Sequence, residues 1–340
     1  MDDLSRLAGS DRLVEEVCER FALGAAGSWR DLGGSTSTNL LIEVPGTAVV
    51  ARVHRAATAV ERVHGEQAAR IALAQAGLPT VVPMPDASGR TVARVAGAWW
   101  VEVEEYVAST RTMKTVETLR AGFPLLAQVH QTLRVTPLPP AARRVRYANH
   151  LSADRSTAAA RRGAERIRGW GDGQLNAYAD GAVAHLDAVA VGEQRYRAAQ
   201  VVQVVHGDFW DDNVLFNDDD GPVVLLDFGF MAERARVDDL ALTLWFYLNE
   251  PGRALPTQDD VDLVRDLVDR YDSAAVTPLS AAERAALPWA VARQPAWSIG
   301  GWVLDLDEEE AARHARAAAL ELPVAQHIVS RISDWQSALA

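Results

Sequence analysis

The sequence predicts an α+β fold in two lobes: a small antiparallel sheet with a helix, followed by a mainly helical remainder. Up to about residue 107, apolar and polar residues alternate in short runs separated by turn residues, a pattern typical of antiparallel strands. From Ala108 onward, apolar residues recur mainly at helical spacing. We therefore expect an N-terminal lobe at residues 1–107 and a C-terminal lobe at residues 108–340.

The N-terminal lobe is predicted to begin with a helix and to continue as strands around a second helix. Asp11 is expected to cap the first helix, and Gly77 ends the second. Pro45-Gly46 is expected to join the first two strands as a hairpin turn. In chain order, the predicted elements are a helix at 11–24, strands at Leu40–Val44 and Thr47–Val53, a helix at 60–76, and strands within 84–95 and 98–107.

The C-terminal lobe is predicted to be helical around one strand-rich segment. Two apolar runs, Val201–Val205 and Val223–Leu226, flank the acidic turn Asn217–Gly221 and predict a hairpin-like unit. Helices are predicted at 114–134, twice within 140–200, and from Asp238 onward, where they are expected to be broken at Pro251, Pro256, Pro278, Pro288 and Pro323.

Composition limits the classes of function. The net charge of −12 argues against general nucleic-acid binding, and no run approaches the roughly 18–20 apolar residues that span a bilayer. A single cysteine, Cys18, rules out an internal disulfide and a cysteine metal cluster. The first twenty residues lack the basic start and apolar core of a signal peptide, so we expect a cytoplasmic protein. Lys114 is the only lysine, and other basic functions therefore fall to arginine.

The most informative segment is HGDFWDDNVLF, which begins at His206 and is followed by VVLLDFGF. The hairpin-like unit is expected to bring Asp208, Asn213 and Asp227 together. A carboxylate and an amide oxygen suit Mg²⁺, which prefers hard oxygen ligands and keeps some water and phosphate ligands. A further carboxylate that stands near the metal without binding it can act as a general base. The alternative is an acidic surface hairpin of ordinary turn residues, which leaves the DFG sequence and its spacing unexplained.

The spacing is that of kinase phosphoryl transfer: an aspartate, an asparagine five residues later, and a DFG aspartate on the following strand. With His-Gly-Asp in place of His-Arg-Asp, the motif resembles the aminoglycoside phosphotransferase and choline kinase family of small-molecule kinases, which implies a protein-kinase-like fold. The resemblance implies Asp208 as catalytic base, Asn213 and Asp227 as Mg²⁺ ligands, and ATP, or alternatively GTP, as phosphate donor. It also implies that His206 and Asp239 support the catalytic loop through hydrogen bonds.

The same resemblance assigns a phosphate-covering loop to Gly33–Asn39. Within this segment Gly34, Ser35 and Thr36 are expected to contact the nucleotide, because small residues let backbone N–H groups approach phosphates and hydroxyls can donate as well. By itself the segment would be an ordinary turn, and its position upstream of the HGD motif is what indicates the function.

Kinases usually carry a lysine on the third strand that holds the phosphates and pairs with a helix glutamate. The sequence VVARVHR has no lysine, so Arg52 is expected to take this role, and Glu66 matches the helix glutamate. The alternative for Arg52 is a surface arginine on an edge strand, and the alternative for Glu66 is a solvated helix position. Adenine is expected to bind backbone groups near Glu104 and Tyr106, in EEYVAST.

The acceptor is expected to bind between the catalytic loop and the C-terminal helices. Residues 201–340 carry 25 acidic and 10 basic side chains, and aromatic residues beside carboxylates suit a cationic, partly apolar ligand. The predicted contacts are Asp211, Trp297, Trp302, Asp305 and Glu308. Two alternatives stay open: a buried helix face with a charged helix start, and an anionic acceptor bound by arginines such as Arg143, Arg144 and Arg146.

We interpret the chain as an ATP- and Mg²⁺-dependent phosphotransferase acting on a small-molecule hydroxyl. An aminoglycoside-like or other amine-bearing antibiotic is the leading acceptor, and a primary metabolite (homoserine, choline or a sugar) is the alternative. A catalytically silent nucleotide-binding module is the alternative of another class. Neither a nucleic-acid nor a membrane partner is expected, and the protein is expected to be a monomer or a homodimer.

Overall fold

The structure is a computed structural model that describes residues 6–34, 37–109, 111–145, 148–217 and 221–340. The chain packs as two compact units. The first comprises Met1–Thr112, Val135–Arg143 and Leu215–Gly229, and the second comprises Met113–Arg134, Arg144–Val214 and Phe230–Ala340. The sequence placed a single boundary after residue 107; its division into functional lobes stays a prediction.

Helices and strands follow the predicted α+β pattern, which is confirmed. The helices are α1 (Asp11–Arg20), α2 (Val60–Gln75), α3 (Val116–Val135), α4 (Pro140–Arg143), α5 (Ala153–Arg168), α6 (Gly173–Gln194), α7 (Val237–Leu248), α8 (Gln258–Ala274), α9 (Ala281–Arg293), α10 (Val303–Asp305), α11 (Glu308–Ser330) and α12 (Ile332–Leu339). The strands are β1 (Trp29–Asp31), β2 (Ser37–Val44), β3 (Thr47–His54), β4 (Ala93–Val95), β5 (Trp99–Glu105), β6 (Arg111–Met113), β7 (Val202–Val205), β8 (Asp211–Phe216), β9 (Pro222–Leu225) and β10 (Ala232–Ala235).

The first unit is built on an antiparallel sheet with the strand order β1-β2-β3-β5-β4. The predicted hairpin is confirmed, because β2 pairs with β3 in register from Val44 and Thr47 outward. Strand residues alternate between two faces. One face is apolar: Ala51, Val53 and Val103 are buried in a cluster that includes α1. The other face is polar, and it presents charged side chains of β3 and β5 toward α2.

Helix α1 is capped differently from the prediction. The side chain of Ser10, not Asp11, accepts the backbone N–H of Leu13 at 3.2 Å. Asp11 is the first helical residue and accepts the indole N–H of Trp29 at 2.7 Å. Both residue types are good N-caps, and the tertiary contact to Trp29 decides between them.

The second unit has a helical core in which α5, α6 and α11 pack around buried residues such as Ile167, Tyr178 and Ala318. A two-stranded antiparallel ribbon pairs β7, which leads into the HGD segment, with β10, which precedes α7. Helix α7 follows directly and is buried along nearly its whole length, which predicts a rigid support for the loop that it contacts.

Two of the prolines expected to break helices lie inside them. Pro288 is within α9 and Pro323 is within α11. A proline removes one helical hydrogen bond and crowds the preceding turn, and packing against neighbouring helices compensates for this loss. The prediction of breaks at these two positions was therefore wrong. In the described part of the chain, no helix combines the length and apolarity needed to cross a membrane.

Candidate active site

The HGD loop of the second unit connects β7 to β8 through a backbone shape that requires glycine. Gly207 has a φ of +88°, in the left-handed region that side chains disfavour. A Cβ at this position would also lie 2.2 Å from the carbonyl oxygen of Phe230. A larger residue would therefore displace the loop that carries Asp208.

Asp239, near the start of α7, holds this loop through hydrogen bonds to its backbone. Its carboxylate is fully buried and accepts the backbone N–H groups of His206 at 2.9 Å and Gly207 at 2.7 Å. It also contacts His130 Nε2 at 3.0 Å and an Arg234 nitrogen at 3.2 Å. Burial alone would raise the pKa of Asp239, but the hydrogen bond from His130 and the charge of Arg234 outweigh it and lower the pKa to about 2. The carboxylate is therefore ionised and accepts all four contacts.

Asp208 and Asn213 are brought together within the same loop. The Asn213 amide nitrogen donates to the Asp208 backbone oxygen and to its Oδ2, both at 2.8 Å. The Asp208 N–H donates to Nδ1 of the fully buried His206 at 3.2 Å, the backbone-holding contact expected of this histidine. Thr243 of α7 further fixes the loop by donating to the backbone oxygen of Phe209. Asn213 thus holds the Asp208 carboxylate, while His206 and Thr243 hold the backbone on either side of it.

Asp227 belongs to the first unit, where it follows β9. Its φ is +55°, an uncommon value for a residue other than glycine, and its Oδ1 accepts the backbone N–H of Gly229 at 3.1 Å. Arg52 Nη1 of β3 lies 3.0 Å from the same oxygen. The structure brings these two residues into contact although they are 175 residues apart in the chain; their shared role at a nucleotide stays a prediction.

Arg52 does not pair with Glu66 in the way that the lysine–glutamate pattern implies, and this expectation needs correction. Glu66 instead contacts Arg62 Nε at 2.6 Å, one helical turn away. Burial outweighs the opposing charge of Arg62 and raises the pKa of Glu66. Glu66 has a different partner because Arg62 lies one turn away on the same helix, α2, and because Arg52 is paired with Asp227.

The polar face of the sheet supplies further counter-charges to Arg52. Glu102 of β5 is its direct cross-strand neighbour, and Arg70 of α2 contacts both Glu102 and Glu104. All three of these residues are at least 95% buried. Sequence reasoning missed Arg70 and Glu102, although the alternation of valine and glutamate in the VEVE segment of β5 was a visible signal.

The other residues that were predicted to bind the nucleotide are only partly described. Gly34 has a φ of +124°, and a Cβ there would lie 2.7 Å from Ser37 and Asn39, so this position favours glycine. Ser35 and Thr36 lie outside the described residues. Glu104 lies inside β5, with its side chain bound to Arg70. The Tyr106 N–H donates to Ala48 O at 3.0 Å, and the adenine contact expected near this residue stays a prediction.

Asn213 of the second unit and Asp227 of the first each carry an oxygen atom of the kind that Mg²⁺ binds. Among the described residues, no group of three or more His, Cys, Asp or Glu side chains could hold a metal. Mg²⁺ in kinases typically takes one or two protein oxygens together with phosphate and water. Since the Asn213 amide nitrogen is bound to Asp208, its amide oxygen is directed elsewhere and is the atom suited to a cation. Asp227 supplies a carboxylate of the required kind.

Trp297, Trp302, Asp305 and Glu308, which were predicted to bind the acceptor, lie between the end of α9 and the first turn of α11. The ring of Trp302 stacks on His314 and meets Trp297 edge to face. Asp305 and Glu308 are exposed, and Glu308 lies in the acidic first turn of α11, where negative charge favours the helix. This arrangement matches the alternative of a helix face with a charged start, and the acceptor role of these residues stays a prediction.

Asp211, in contrast, lines a cavity of about 290 Å³ in the second unit. We call it the Trp210 cavity. Its walls include Lys114 from the segment before α3, Trp210 and Asp211 from the catalytic loop, and Phe246, Tyr247 and Glu250 from the end of α7 and beyond. Apart from Asp211, sequence reasoning missed this set. The one available signal was Lys114, the only lysine of the chain.

The sequence matches the model of the APH phosphotransferase enzyme family over residues 29–276, and a search of curated proteins found no match. A microcompartment-associated aminopropanol kinase has a TM-score of 0.74 at 18% identity, covering 94% of this chain and 97% of that one. An amicoumacin kinase in complex with AMP-PNP, Ca²⁺ and Ami has a TM-score of 0.70 at 14% identity, covering 94% and 92%.

An aminoglycoside phosphotransferase from Alicyclobacillus acidocaldarius has a TM-score of 0.62 at 15% identity, covering 97% of this chain and 98% of that one. These similarities confirm the predicted two-lobed, protein-kinase-like fold. Because the family match covers well over half of the 340 residues, the chain belongs to the aminoglycoside phosphotransferase family of small-molecule kinases, enzymes that transfer phosphate to a hydroxyl group.

Proposed function

We propose that this enzyme transfers the γ-phosphate of ATP to a hydroxyl group of a small, amine-bearing molecule, with Mg²⁺ as its metal. The observation that carries the proposal is the fixed position of Asp208. Asn213 holds its carboxylate at 2.8 Å, and Asp239 holds the backbone of the two preceding residues. A catalytic base must be held within reach of the proton that it accepts, and this loop supplies that constraint.

In the proposed reaction, Asp208 accepts the proton of the acceptor hydroxyl while the hydroxyl oxygen attacks the γ-phosphorus, the bond from that phosphorus to the bridging oxygen of ADP breaks, and ADP leaves. Asn213 and Asp227 are proposed as the protein ligands of the metal, on the basis of their spacing in the motif and the family to which the chain belongs. When bound, Mg²⁺ would neutralise charge on the β- and γ-phosphates.

Arg52 is proposed to bind the phosphates of ATP. Its guanidinium is held at Asp227 and faces further carboxylates of β5, so its charge and orientation are set before a nucleotide binds. A planar guanidinium can bind phosphate oxygens in a bidentate manner. Gly34 is proposed to let the backbone approach the same phosphates.

An amine-bearing acceptor is supported by the charges and aromatic rings of the Trp210 cavity. Asp211 and Glu250 supply negative charge, and Trp210 stacks on Phe246 with 3.9 Å between ring centroids. Such surroundings favour cations. The cavity volume of about 290 Å³ lies at the lower end of ligand pockets and favours a compact amino alcohol. An amine-bearing antibiotic is the second candidate, since an amicoumacin kinase and an aminoglycoside phosphotransferase share the fold.

The proposal is tested by ADP release from Mg²⁺–ATP across a fixed set of acceptors: 1-amino-2-propanol, choline, homoserine, spectinomycin and kanamycin. Each reaction is repeated with Asp208→Asn, which keeps the shape of the side chain and removes the base. We expect acceptor-dependent ADP release in the native enzyme with one of the amines, and loss of that release in the variant. Release that is equal in both proteins would contradict the role of Asp208, and failure of every amine would contradict the acceptor class.

A further inference from the structure

The wall of the Trp210 cavity includes a positively charged side chain, Lys114. Lys114 Nζ lies 2.8 Å from Asp211 Oδ2 at the wall of the cavity. Asp211 follows the proposed catalytic base, Asp208, by three residues in the chain. The Lys114 side chain is 62% exposed, whereas that of Asp211 is 11% exposed. The lysine thus reaches in from solvent to a carboxylate that is fixed in the wall.

The lysine is outnumbered by carboxylates. Asp211, Asp212 and Glu250 all act on Lys114 and stabilise its charged form, which leaves an excess of negative charge beside the cavity. The stacked rings of Trp210 and Phe246 form the neighbouring wall. A second ammonium group entering the cavity would therefore meet the same carboxylates and aromatic surface that now attract Lys114.

We propose that Lys114 is a specificity-determining residue: a tethered cation that occupies Asp211 until the ammonium group of an acceptor replaces it. The inference rests on the proposed function, and it adds the residue that limits how strongly the cavity prefers an amine over a neutral acceptor. Lysine suits this role because its compact charge sits on a flexible stem, and its exposure lets it move into solvent without disturbing the wall. Asp211 is the shared ligand for the two ammonium groups.

The proposal predicts a modest effect with a defined direction. An exposed ion pair of this kind contributes little, so removing the competing lysine should improve amine binding by about two- to fivefold. A neutral acceptor gains nothing from a vacated carboxylate. Lys114 therefore limits the affinity for an amine in exchange for keeping Asp211 paired when no acceptor is bound.

The kinetic test compares 1-amino-2-propanol with 1,2-propanediol, which replaces the amine by a hydroxyl. In Lys114→Met, we expect the KM for 1-amino-2-propanol to fall about two- to fivefold, with the kinetics for 1,2-propanediol and the KM for ATP unchanged. Lys114→Arg retains the cation and should keep or raise the native KM. Arg161→Met is the matched control, because it removes one positive charge from an exposed ion pair with Asp187 on helices that do not line the cavity.

A second readout does not depend on turnover. Because Lys114 is the only lysine, reductive ¹³C-methylation, which keeps the charge, labels one side chain and the N-terminal amine. The Lys114→Arg spectrum identifies the lysine signal by its loss. We expect 1-amino-2-propanol to move this signal toward that of a free dimethyl-lysine and 1,2-propanediol to leave it unmoved.

The outcomes separate the two proposals. A lysine signal that 1-amino-2-propanol leaves unmoved overturns the role of Lys114, even if phosphate is transferred. A KM that rises for both probes in Lys114→Met also overturns it and indicates a structural role. If the signal moves as expected but no amine is phosphorylated, the cavity binds amines and the proposed function fails.

Discussion

Replacing Asp239 by asparagine tests whether the catalytic loop depends on one buried carboxylate. The two carboxylate oxygens accept four groups: two backbone N–H groups, a His130 ring nitrogen and Arg234. Asparagine has nearly the same shape, but its amide has only one oxygen. Whichever way the amide turns, its NH₂ group must face donors that formerly met an oxygen.

The expected loss of stability is about 3–5 kcal/mol. Breaking a buried ion pair from one side costs about that much, because Arg234 would keep its charge without a counter-ion. The pKa of Asp239 leads to a similar magnitude. A fall from 3.8 to about 2 corresponds to roughly 2–3 kcal/mol of stabilisation of the ionised form, and the lost backbone contacts add to it.

Urea denaturation at neutral pH measures the free energy of unfolding, and ADP release measures the effect on catalysis. We expect kcat to fall about 10- to 100-fold, as for other residues that position a site without touching the substrate. Asp187→Asn is the control, since it disrupts an exposed ion pair and should change stability by less than about 1 kcal/mol. A loss below about 1 kcal/mol in Asp239→Asn, with native kcat, would refute the reasoning.

The same carboxylate predicts a pH dependence of stability. Its folded pKa is depressed, so the unfolded chain binds more protons between about pH 4 and pH 2. Its contribution is therefore complete above about pH 4 and is lost as the pH falls toward 2. The native protein should show this loss in its urea midpoint, and Asp239→Asn should lack that part of the change.

Four further substitutions test the site. Asp208→Ala should lower kcat by about 10²–10⁴-fold with little change in ATP affinity, measured by steady-state kinetics and calorimetry. Asp227→Asn should weaken the Mg²⁺ dependence of ATP binding, which calorimetry with and without Mg²⁺ measures. Arg52→Ala should raise the KM for ATP roughly 10- to 100-fold, the value of one charge-assisted contact, and leave the acceptor KM near native. Gly207→Ala should lower the melting temperature and kcat together, because φ is +88° and the Cβ meets a carbonyl.

Each of these predictions has an opposing result. Native turnover in Asp208→Ala would remove the base from the mechanism. Mg²⁺–ATP affinity that is unaltered in Asp227→Asn would count against a metal ligand at that position. An acceptor KM that rises more than the ATP KM in Arg52→Ala would place the arginine elsewhere, and a native melting temperature in Gly207→Ala would show that the loop tolerates a side chain.

Local sequence signals were enough to predict the elements that local chemistry controls. The β2–β3 hairpin follows from alternating apolar residues around Pro45-Gly46, and α2 follows from helical spacing that ends before Gly77. The HGD and DFG segments indicated the kinase family equally well, because catalytic chemistry requires particular residues at fixed spacing. Their family assignment was confirmed by the match over residues 29–276.

Other features were decided by groups that are distant in the chain. Ser10 caps α1 because Trp29 engages Asp11, and Glu66 pairs with Arg62 because Arg52 reaches Asp227. Several residues were chemically able to fill each of these roles, so the sequence could name candidates without choosing among them. Burial and distance make that choice.

The proposed acceptor cavity shows most clearly which features the sequence predicts and which only the tertiary structure determines. From the sequence by itself, the phosphotransfer chemistry could be predicted, and the identity and spacing of Asp208, Asn213 and Asp227 make them the residues predicted to carry it. The Trp210 cavity could not, since it joins Lys114 to Asp211 and Glu250 from separate segments. A binding cavity is a shape left between packed side chains, and only the tertiary structure determines which residues surround it.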